Sequence, residues 1–314
     1  MKGEVRIREV GPRDGLQMVR TILPTEQKLE WCRLAVAAGL RAIEVTSFVP
    51  ATIIPQFADA EAVAAGALGI EGLDPSALVV NLKGARRALN AGLRKLTYVI
   101  SASEAHSEAN ARRSTEAALA EYAHIREEFG PIFRAGEAEL GFGIATAFGC
   151  TIQGAVSSER VLRLVDAACD LGAEEIMLAD TVGYANPDQV AALFLKVGAR
   201  AGHVPLAAHF HDTRGLGLAN VLAALQAGVR RFDASLSGLG GCPFAPGATG
   251  NVATEDLAYM LEAMGWTTGI DLPALLGLQA HIRPWLPGER LESAVVRAGL
   301  PLTMTSGSSS ASHG

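Results

Sequence analysis

Two histidines lie two residues apart near the end of an apolar run, His209 and His211 in residues 206–211. Side chains alternate along a strand, so both imidazoles would leave one face and could bind a single metal ion. The alternative is two rim histidines that hydrogen-bond the backbone. A carboxylate, Asp14, follows another apolar run, and an amide, Asn251, follows a glycine-rich stretch. Mixed nitrogen and oxygen ligands favour an octahedral divalent ion such as Mg2+ or Mn2+ over a closed zinc site.

Two further residues could take part in catalysis. Arg13 adjoins Asp14 and could either form a local ion pair or hold negative charge that develops on an enolate or thioester oxygen. Cys242 lies in residues 240–251, a stretch too rich in glycine to form a helix or strand. Long loops over a barrel mouth are often lids, and a thiol carried there could give or take a proton.

A repeated sequence motif indicates the scaffold that would position these side chains. Four times a helical stretch ends in a glycine and a short apolar run follows, at Gly39, Gly92, Gly172 and Gly228. Glycine adopts the left-handed conformation that ends a helix, and the run after it has the pattern of a strand buried on both faces. Each copy of the motif therefore predicts a helix, a glycine cap and a strand.

Eight apolar runs of this kind alternate with helical segments. The predicted strands are 5–10, 42–48, 78–82, 96–101, 139–146, 175–180, 206–211 and 232–236. The predicted helices are 28–38, 113–128, 158–171, 187–201, 217–227, 254–264 and 272–282. This order predicts an α/β fold, a (β/α)8 TIM barrel with extra C-terminal helices, and a doubly wound open sheet is the alternative. We expect one catalytic domain over residues 1–290 and a C-terminal segment, 291–314, with a flexible tail from residue 303.

Polar side chains occur repeatedly at the ends of the predicted strands. They are Glu44, Asn81, Lys83, Asp180 and Thr181. An unpaired charge at the rim of an apolar core is costly, and barrels of this type have their active sites at the carboxyl ends of the strands. These residues therefore predict a site at that mouth. The other histidines of the chain body have no polar partner in view and are predicted to be surface residues: His106, His124, His203 and His281.

The composition excludes several classes of protein. The 314 residues are 49% hydrophobic and 19% charged, and 27 basic against 33 acidic side chains give a net charge of -6. These values argue against a disordered, collagenous or nucleic-acid-binding protein. Four scattered cysteines argue against a disulfide scaffold and favour a reducing cytoplasm. We expect no membrane span and no secretion signal, because no apolar run is long enough.

Several motifs, taken in order, resemble those of the 3-hydroxy-3-methylglutaryl-CoA lyases, within the metal-dependent barrel lyases and Claisen-type synthases. The motifs are EVGPRDGLQ at 9–17, EVTSFV at 44–49, NLKG at 81–84, DTVG at 180–183, HFHDT at 209–213 and the Cys242 loop through 257. The resemblance covers residues 5–276 and implies retro-Claisen cleavage of a 3-hydroxyacyl-CoA to acetyl-CoA and acetoacetate. It also implies a divalent cation, Mg2+ or Mn2+, and we expect a homodimer.

The resemblance also assigns roles to individual residues. The implied metal ligands are Asp14, His209, His211 and Asn251. Arg13 would stabilise the enolate, and Cys242 would assist proton transfer. The full expected catalytic set is Arg13, Asp14, Glu44, His209 and Cys242, and the expected substrate-binding set is Gln17, Asn81, Lys83, Asp180 and Thr181.

The chain departs from the family pattern near the expected mouth. Residues 50–57 lack a lysine and a tryptophan, Thr151 and Ile152 replace a proline and a tyrosine, and Met177 replaces a serine. The pocket is then less polar, so another 3-hydroxyacyl-CoA, such as citramalyl-CoA, is the alternative substrate. A Claisen synthase is disfavoured because only a short segment follows residue 290. A catalytically silent barrel is disfavoured because the metal-binding residues are present.

Overall fold

A closed parallel barrel forms the centre of the fold. The computed structural model describes residues 2–241 and 250–305. Within these residues eight strands pair in chain order, and the last pairs with the first. The strands are β1 (Arg6–Glu9), β2 (Ala42–Ser47), β3 (Asp74–Val79), β4 (Lys95–Ser101), β5 (Glu139–Ala145), β6 (Ile176–Asp180), β7 (Leu206–Phe210) and β8 (Arg231–Ala234). The predicted TIM barrel is confirmed, and the closure between β1 and β8 excludes the open sheet.

Helices connect the strands and continue beyond the last one. They are α1 (Thr25–Ala37), α2 (Ala60–Leu68), α3 (Leu82–Asn90), α4 (Glu104–Ala111), α5 (Thr115–Glu128), α6 (Gly130–Arg134), α7 (Ser158–Asp170), α8 (Pro187–Ala201), α9 (Gly217–Gln226), α10 (Thr254–Ala263), α11 (Leu272–Ile282), α12 (Ala294–Ala298) and α13 (Leu302–Thr305). The extra C-terminal helices are confirmed, and α11 packs against α1 and α10. In the described part of the chain, none of the helices has the length and apolar character needed to cross a membrane.

The four glycine caps adopt the predicted backbone conformation. The φ angles of Gly39, Gly92, Gly172 and Gly228 are 89°, 97°, 74° and 102°. The strands that follow are largely buried, and β2 and β6 are buried along their whole length. At these four positions, local sequence therefore determines where the helix ends and the next strand can begin.

The third strand was predicted too late in the chain. Residues 78–82 were expected, whereas β3 spans Asp74–Val79 and Leu82 already begins α3. The helix begins there because the side-chain oxygen of Asn81 accepts a 2.8 Å hydrogen bond from the backbone nitrogen of Gly84. The start of the strand was missed because Pro75 is the second residue of β3, and proline is unusual inside a strand but is tolerated near its beginning.

Further differences lie in short helices and in the tail. Helices α2, α3, α4, α6, α12 and α13 were not predicted. The last of them overlaps the start of the segment expected to be flexible, and residues 306–314 of that segment lie outside the described residues. Most of these helices are one to three turns long, so their apolar pattern is too brief to be distinguished by periodicity alone.

The glycine caps can be tested by a pair of alanine variants, Gly39→Ala and Gly228→Ala. Both positions have a positive φ, which costs other residues about 1–3 kcal/mol. A Cβ at residue 39 would lie 2.1 Å from the carbonyl oxygen of Gly269, whereas a Cβ at residue 228 meets nothing within 4 Å. Urea unfolding should therefore show a clearly larger loss of unfolding free energy for Gly39→Ala. Equal losses would contradict this close packing of the α1 cap against Gly269.

Candidate metal centre and active site

The predicted metal ligands meet at the carboxyl end of the barrel. Asp14 lies in a π-helical turn, Gly11–Gly15, directly after β1, and such turns occur frequently at functional sites. His209 lies on β7, and His211 follows its last residue. An isolated bridge pairs His211 with Asn251, which brings the segment after β8 to the same rim. Strand ends and one backbone bridge thus bring together residues that are as much as 237 positions apart in the chain.

Three donor side chains lie within ligand-to-ligand distance of one another. The possible ligand atoms of Asp14, His209 and His211 all lie within 4.8 Å of each other. Asp14 Oδ2 is 4.0 Å from the Nε2 atom of each histidine, and the two Nε2 atoms are 3.2 Å apart. Both imidazoles are buried. The histidines therefore face the aspartate as the sequence predicted, rather than pairing with the backbone.

The amide of Asn251 adjoins this cluster. Its Nδ2 atom donates to Asp14 Oδ2 at 2.8 Å and to the backbone carbonyl of Leu239 at 3.0 Å. Its buried side-chain oxygen has no hydrogen-bond partner among the described residues. Leaving a buried acceptor unpaired is costly, and a cation would satisfy it. A carboxylate, two imidazole nitrogens and an amide oxygen suit a divalent ion, so these residues fit the metal that the sequence resemblance implies.

Electrostatics favour the metal-binding protonation states of Asp14 and His211. Burial opposes ionisation of Asp14, but the Arg13 guanidinium and the two imidazoles outweigh it and hold the Asp14 pKa below its usual value. Burial, reinforced by His209, lowers the pKa of His211 to about 4. At neutral pH Asp14 is therefore an anion and His211 is neutral, and these are the forms that bind metal ions.

His209 has a second carboxylate partner that the sequence analysis missed. Its Nδ1 atom donates to Asp233 Oδ2 at 3.2 Å. Burial disfavours the charged imidazole, but this hydrogen bond and Asp14 outweigh it and raise the pKa of His209. A carboxylate on the far nitrogen is the usual second partner of a metal-bound histidine. The available signal was an aspartate within the otherwise apolar run 232–236.

Arg13 is buried directly beside the metal ligands. Its Nη1 atom donates to Asp14 Oδ1 at 2.7 Å, and its Nε atom donates to Glu44 on β2. Arg13 and Asp14 therefore form the local ion pair that was one of the two predictions for Arg13. The Nη2 atom of Arg13 makes no hydrogen bond to the described residues, so the guanidinium retains a donor for an enolate or thioester oxygen, as the second hypothesis requires. Glu44 and Asp14 fix the plane of the guanidinium before any substrate binds.

Two of the residues predicted to bind substrate, Asp180 and Thr181, hydrogen-bond the backbone of neighbouring loops. Asp180 accepts hydrogen bonds from the backbone nitrogens of Tyr184 and Ala185 at 2.8 and 3.0 Å, and burial raises its pKa. Thr181 Oγ1 accepts from the backbone nitrogen of Thr146 at 2.9 Å. These contacts stabilise the loops after β5 and β6. Their contact with substrate stays a prediction.

The remaining residues predicted to bind substrate are Asn81, Lys83 and Gln17. Asn81 caps α3, Lys83 is exposed, and Gln17 is half-buried just after the π-helical turn. Cys242 lies outside the described residues, so its expected role on a lid stays a prediction.

His106 was wrongly predicted to be a surface residue. It is buried at the carboxyl end of the barrel, where its Nδ1 atom is 3.1 Å from Ser101 Oγ. Ser101 Oγ is in turn 2.9 Å from Thr146 Oγ1. The partners come from β4 and the end of β5, which local sequence around His106 could not reveal. His124, His203 and His281 are exposed as predicted.

Two buried glutamates brace the loops that carry the ligands. Glu9 accepts hydrogen bonds from the backbone nitrogens of Gly11 and Leu236 at 2.8 and 2.9 Å and from Thr254 Oγ1 at 2.6 Å. Glu255 accepts from the backbone nitrogen of Ser237 at 2.8 Å. Burial raises the pKa of Glu9 to about 7 and that of Glu255 to about 8. These contacts tie the turn that carries Asp14 to the segments on both sides of Asn251.

The fold and the site together define a barrel enzyme with a candidate metal centre at its mouth. A family model described as HMGL-like matches residues 4–282. The chain belongs to this family, and its relatives include carbon–carbon lyases.

Three relatives illustrate the similarity. Hydroxymethylglutaryl-CoA lyase YngG of Bacillus subtilis (strain 168) is 42% identical, over 87% of this chain and 90% of that protein. The (R)-citramalyl-CoA lyase of Chloroflexus aurantiacus is 40% identical, over 94% of this chain and 95% of that protein. The structure of an HMG-CoA lyase from Acinetobacter baumannii, in complex with coenzyme A and 3-methylmalate, superposes with a TM-score of 0.89 at 42% identity, over 95% of this chain and 96% of that chain.

The raised pKa of Glu255 predicts a change in the pH dependence of stability. Its folded-state value is about 8, against about 4.3 for an unfolded chain. A raised pKa stabilises the folded state fully below the unfolded value, and this contribution is lost as the pH rises toward 8, by at most about 1.4 kcal/mol per pH unit. Glutamine does not titrate, so Glu255→Gln should lose less unfolding free energy between pH 5 and pH 8 than the unsubstituted protein.

Urea unfolding at pH 5, 6, 7 and 8 measures this difference. Glu127→Gln, at an exposed position on α5, is the matched control and should follow the unsubstituted protein. Parallel pH profiles for Glu255→Gln and the control would contradict the burial of an uncharged Glu255.

Proposed function

We propose that this protein is a divalent-metal-dependent lyase that cleaves 3-hydroxy-3-methylglutaryl-CoA to acetyl-CoA and acetoacetate. The convergence of Asp14, His209, His211 and Asn251, with Arg13 alongside, carries the proposal. The B. subtilis relative, named a hydroxymethylglutaryl-CoA lyase and 42% identical over 87% of this chain, supports it.

The chemistry separates into charge stabilisation and proton transfer. Asp14, His209, His211 and Asn251 would hold a divalent cation, which would supply Lewis acidity that lowers the pKa of the tertiary 3-hydroxyl of the substrate and orients it. Loss of the hydroxyl proton and cleavage of the C2–C3 bond give acetoacetate and the enolate of acetyl-CoA, which then takes a proton at C2. Arg13 donates to the thioester oxygen, where negative charge develops. Because Glu44 and Asp14 hold the guanidinium in place beforehand, this interaction is strongest in the transition state and raises turnover.

The finer assignments belong to the same proposal. We propose Mg2+ or Mn2+ as the ion because the donor set is rich in oxygen and nitrogen. Cys242 would assist the proton transfer, and Gln17, Asn81, Lys83, Asp180 and Thr181 would contact the acyl-CoA. The described cysteines are free, which agrees with a reducing cytoplasm. We also propose that residues 1–290 form the catalytic domain and that the protein is a homodimer.

Citramalyl-CoA is the second candidate substrate. The observation that favours it is the (R)-citramalyl-CoA lyase of C. aurantiacus, 40% identical over 94% of this chain and 95% of that protein. Cleavage of a 3-hydroxyacyl-CoA by the same bond rearrangement would use the same metal ligands and the same arginine. The two candidates therefore differ in the acyl pocket rather than in the reaction.

A substrate panel tests the proposal. Purified protein with Mg2+ or Mn2+ is incubated with hydroxymethylglutaryl-CoA, both enantiomers of citramalyl-CoA and bulkier 3-hydroxyacyl-CoA thioesters, and the products are identified by mass spectrometry. We expect acetyl-CoA and acetoacetate from hydroxymethylglutaryl-CoA, and loss of activity with EDTA. Cleavage of citramalyl-CoA alone would establish the second candidate. No cleavage of any thioester, or full activity with EDTA, would contradict both.

Arg13→Gln should separate catalysis from metal binding. We expect turnover to fall by about 10³-fold, the effect of removing one donor to a developing oxyanion. Mn2+ affinity should be unchanged or slightly tighter, because the variant keeps all four ligands and leaves the charge of Asp14 uncompensated. Near-full turnover in the variant would exclude Arg13 as the group that stabilises the enolate.

His209→Ala should have the opposite signature. It removes one proposed ligand and leaves the contact between Arg13 and Glu44 intact, so Mn2+ affinity should fall by more than the roughly 100-fold that loss of a residue behind a ligand can cost. Isothermal titration with Mn2+ in the absence of substrate measures this loss. Wild-type affinity would remove His209 from the ligand set.

A further inference from the structure

We propose that Arg8 and Asp233 form a positioning pair that sets the ring orientation and tautomer of His209 from the amino-terminal side of the barrel. The proposal extends the candidate metal centre to two residues that do not contact the ion. It rests on the proposed function only for its effect on metal affinity, since the tautomer of His209 can be measured without metal.

Strand register brings the three side chains into one row. Asp233 on β8 lies opposite His209 on β7 and opposite Arg8 on β1. Residues directly opposite on adjacent strands point to the same face, so all three side chains enter the barrel interior at one level. The row is a consequence of barrel closure, because β1 and β8 are neighbours only when the sheet is closed.

The contacts along this row are continuous. Arg8 donates through Nε to Asp233 Oδ1 at 2.7 Å and through Nη2 to Asp233 Oδ2 at 3.2 Å. Asp233 Oδ2 also accepts the 3.2 Å hydrogen bond from His209 Nδ1. The guanidinium thus hydrogen-bonds both carboxylate oxygens, and this bidentate arrangement restricts rotation of the carboxylate plane.

A carboxylate held in this way determines which ring nitrogen of His209 carries hydrogen. Ionised aspartate only accepts hydrogen bonds, so Nδ1 must be the protonated nitrogen of the neutral ring. The lone pair of Nε2 is then directed toward Asp14 and His211, where a metal ion would bind. His211 differs, because its Nδ1 atom has no hydrogen-bond partner among the described residues and its backbone is held by the bridge to Asn251.

The far side of Arg8 is also anchored. Its Nη1 atom donates to Glu175 Oε1 at 3.0 Å, and Glu175 Oε2 accepts from Arg231 Nη1 at 2.8 Å. The largely buried charges of Arg8, Asp233 and Glu175 therefore each have an opposite partner, as the cost of burying ions requires, and Arg231 is partly exposed. Glu175 holds the guanidinium from one side and Asp233 binds it from the other. Arg8 therefore restricts the position of Asp233, which in turn restricts the ring of His209.

Three variants with two readouts test the pair. Asp233→Asn, Arg8→Met and the control Arg6→Met are compared for Mn2+ affinity by isothermal titration without substrate. The tautomer of His209 is measured in the metal-free protein from the 15N shifts of its ring nitrogens. Arg6 lies on the same strand and at the same end of the barrel, but it pairs with Asp74. It therefore controls for the loss of an arginine from this end.

We expect Asp233→Asn to weaken Mn2+ binding by about 10–100-fold and Arg8→Met by about tenfold, the range for residues behind a metal ligand. Both should reduce the population of the Nδ1-protonated tautomer, and Arg8→Lys should restore part of the affinity. Arg6→Met should match the unsubstituted protein in both readouts. Wild-type affinity and tautomer in Arg8→Met, or equal losses in Arg6→Met, would overturn the proposal.

Two further comparisons keep the test decisive. If Asp233→Asn or Arg8→Met does not fold, Asp233→Glu and Arg8→Lys preserve the charges but shift their positions, and both should bind Mn2+ more weakly than the unsubstituted protein. Wild-type Mn2+ affinity in both would overturn the pair. Should the unsubstituted protein bind no Mn2+ while its His209 is Nδ1-protonated, the proposed function fails and the positioning pair stands.

Discussion

The mutual neutralisation of charges inside the barrel is the constraint on which the candidate site depends. Removing an ion from water costs several kcal/mol, so a buried charge persists only with a well-placed partner. Arg13 lies between Asp14 and Glu44, and Asp233 lies between Arg8 and His209. Asp14 and the two Nε2 atoms then lie within 4.8 Å of one another at the mouth. Asn251 donates to Asp14, and its side-chain oxygen is buried without a partner among the described residues. One further positive charge would complete this set.

Barrel closure and the bracing of loops hold that set together. Closure makes β1 the neighbour of β8, so the segment that carries Asp14 lies next to the segment that leads to Asn251. Glu9 then joins these segments through hydrogen bonds to Gly11, Leu236 and Thr254. The ligand cluster thus rests on backbone positions fixed from several directions, which is how a site maintains its geometry before it binds a ligand.

The sequence allowed the fold to be predicted, and it also singled out the side chains that meet in the candidate metal site, because both depend on local signals. Glycine at a helix end is a local cap, and the alternation that places His209 and His211 on one face is a property of any strand. Asp233 was missed because its partner is determined by the register between strands. His106 was misplaced because its burial depends on packing against Ser101 on β4 and, through Ser101, Thr146 after β5. By contrast, β3 was shifted although its signals are local, because Pro75 near its start and the Asn81 cap that begins α3 were not recognised.

The central claim is that one divalent ion binds between Asp14, His209, His211 and Asn251. A crystal structure of the protein soaked with Mn2+, with anomalous data collected to locate the ion, tests it most directly. We predict a single strong anomalous peak within bonding distance of Asp14 Oδ2, both Nε2 atoms and the Asn251 side-chain oxygen. A peak at another location, or no peak between these residues at saturating Mn2+, would contradict the account.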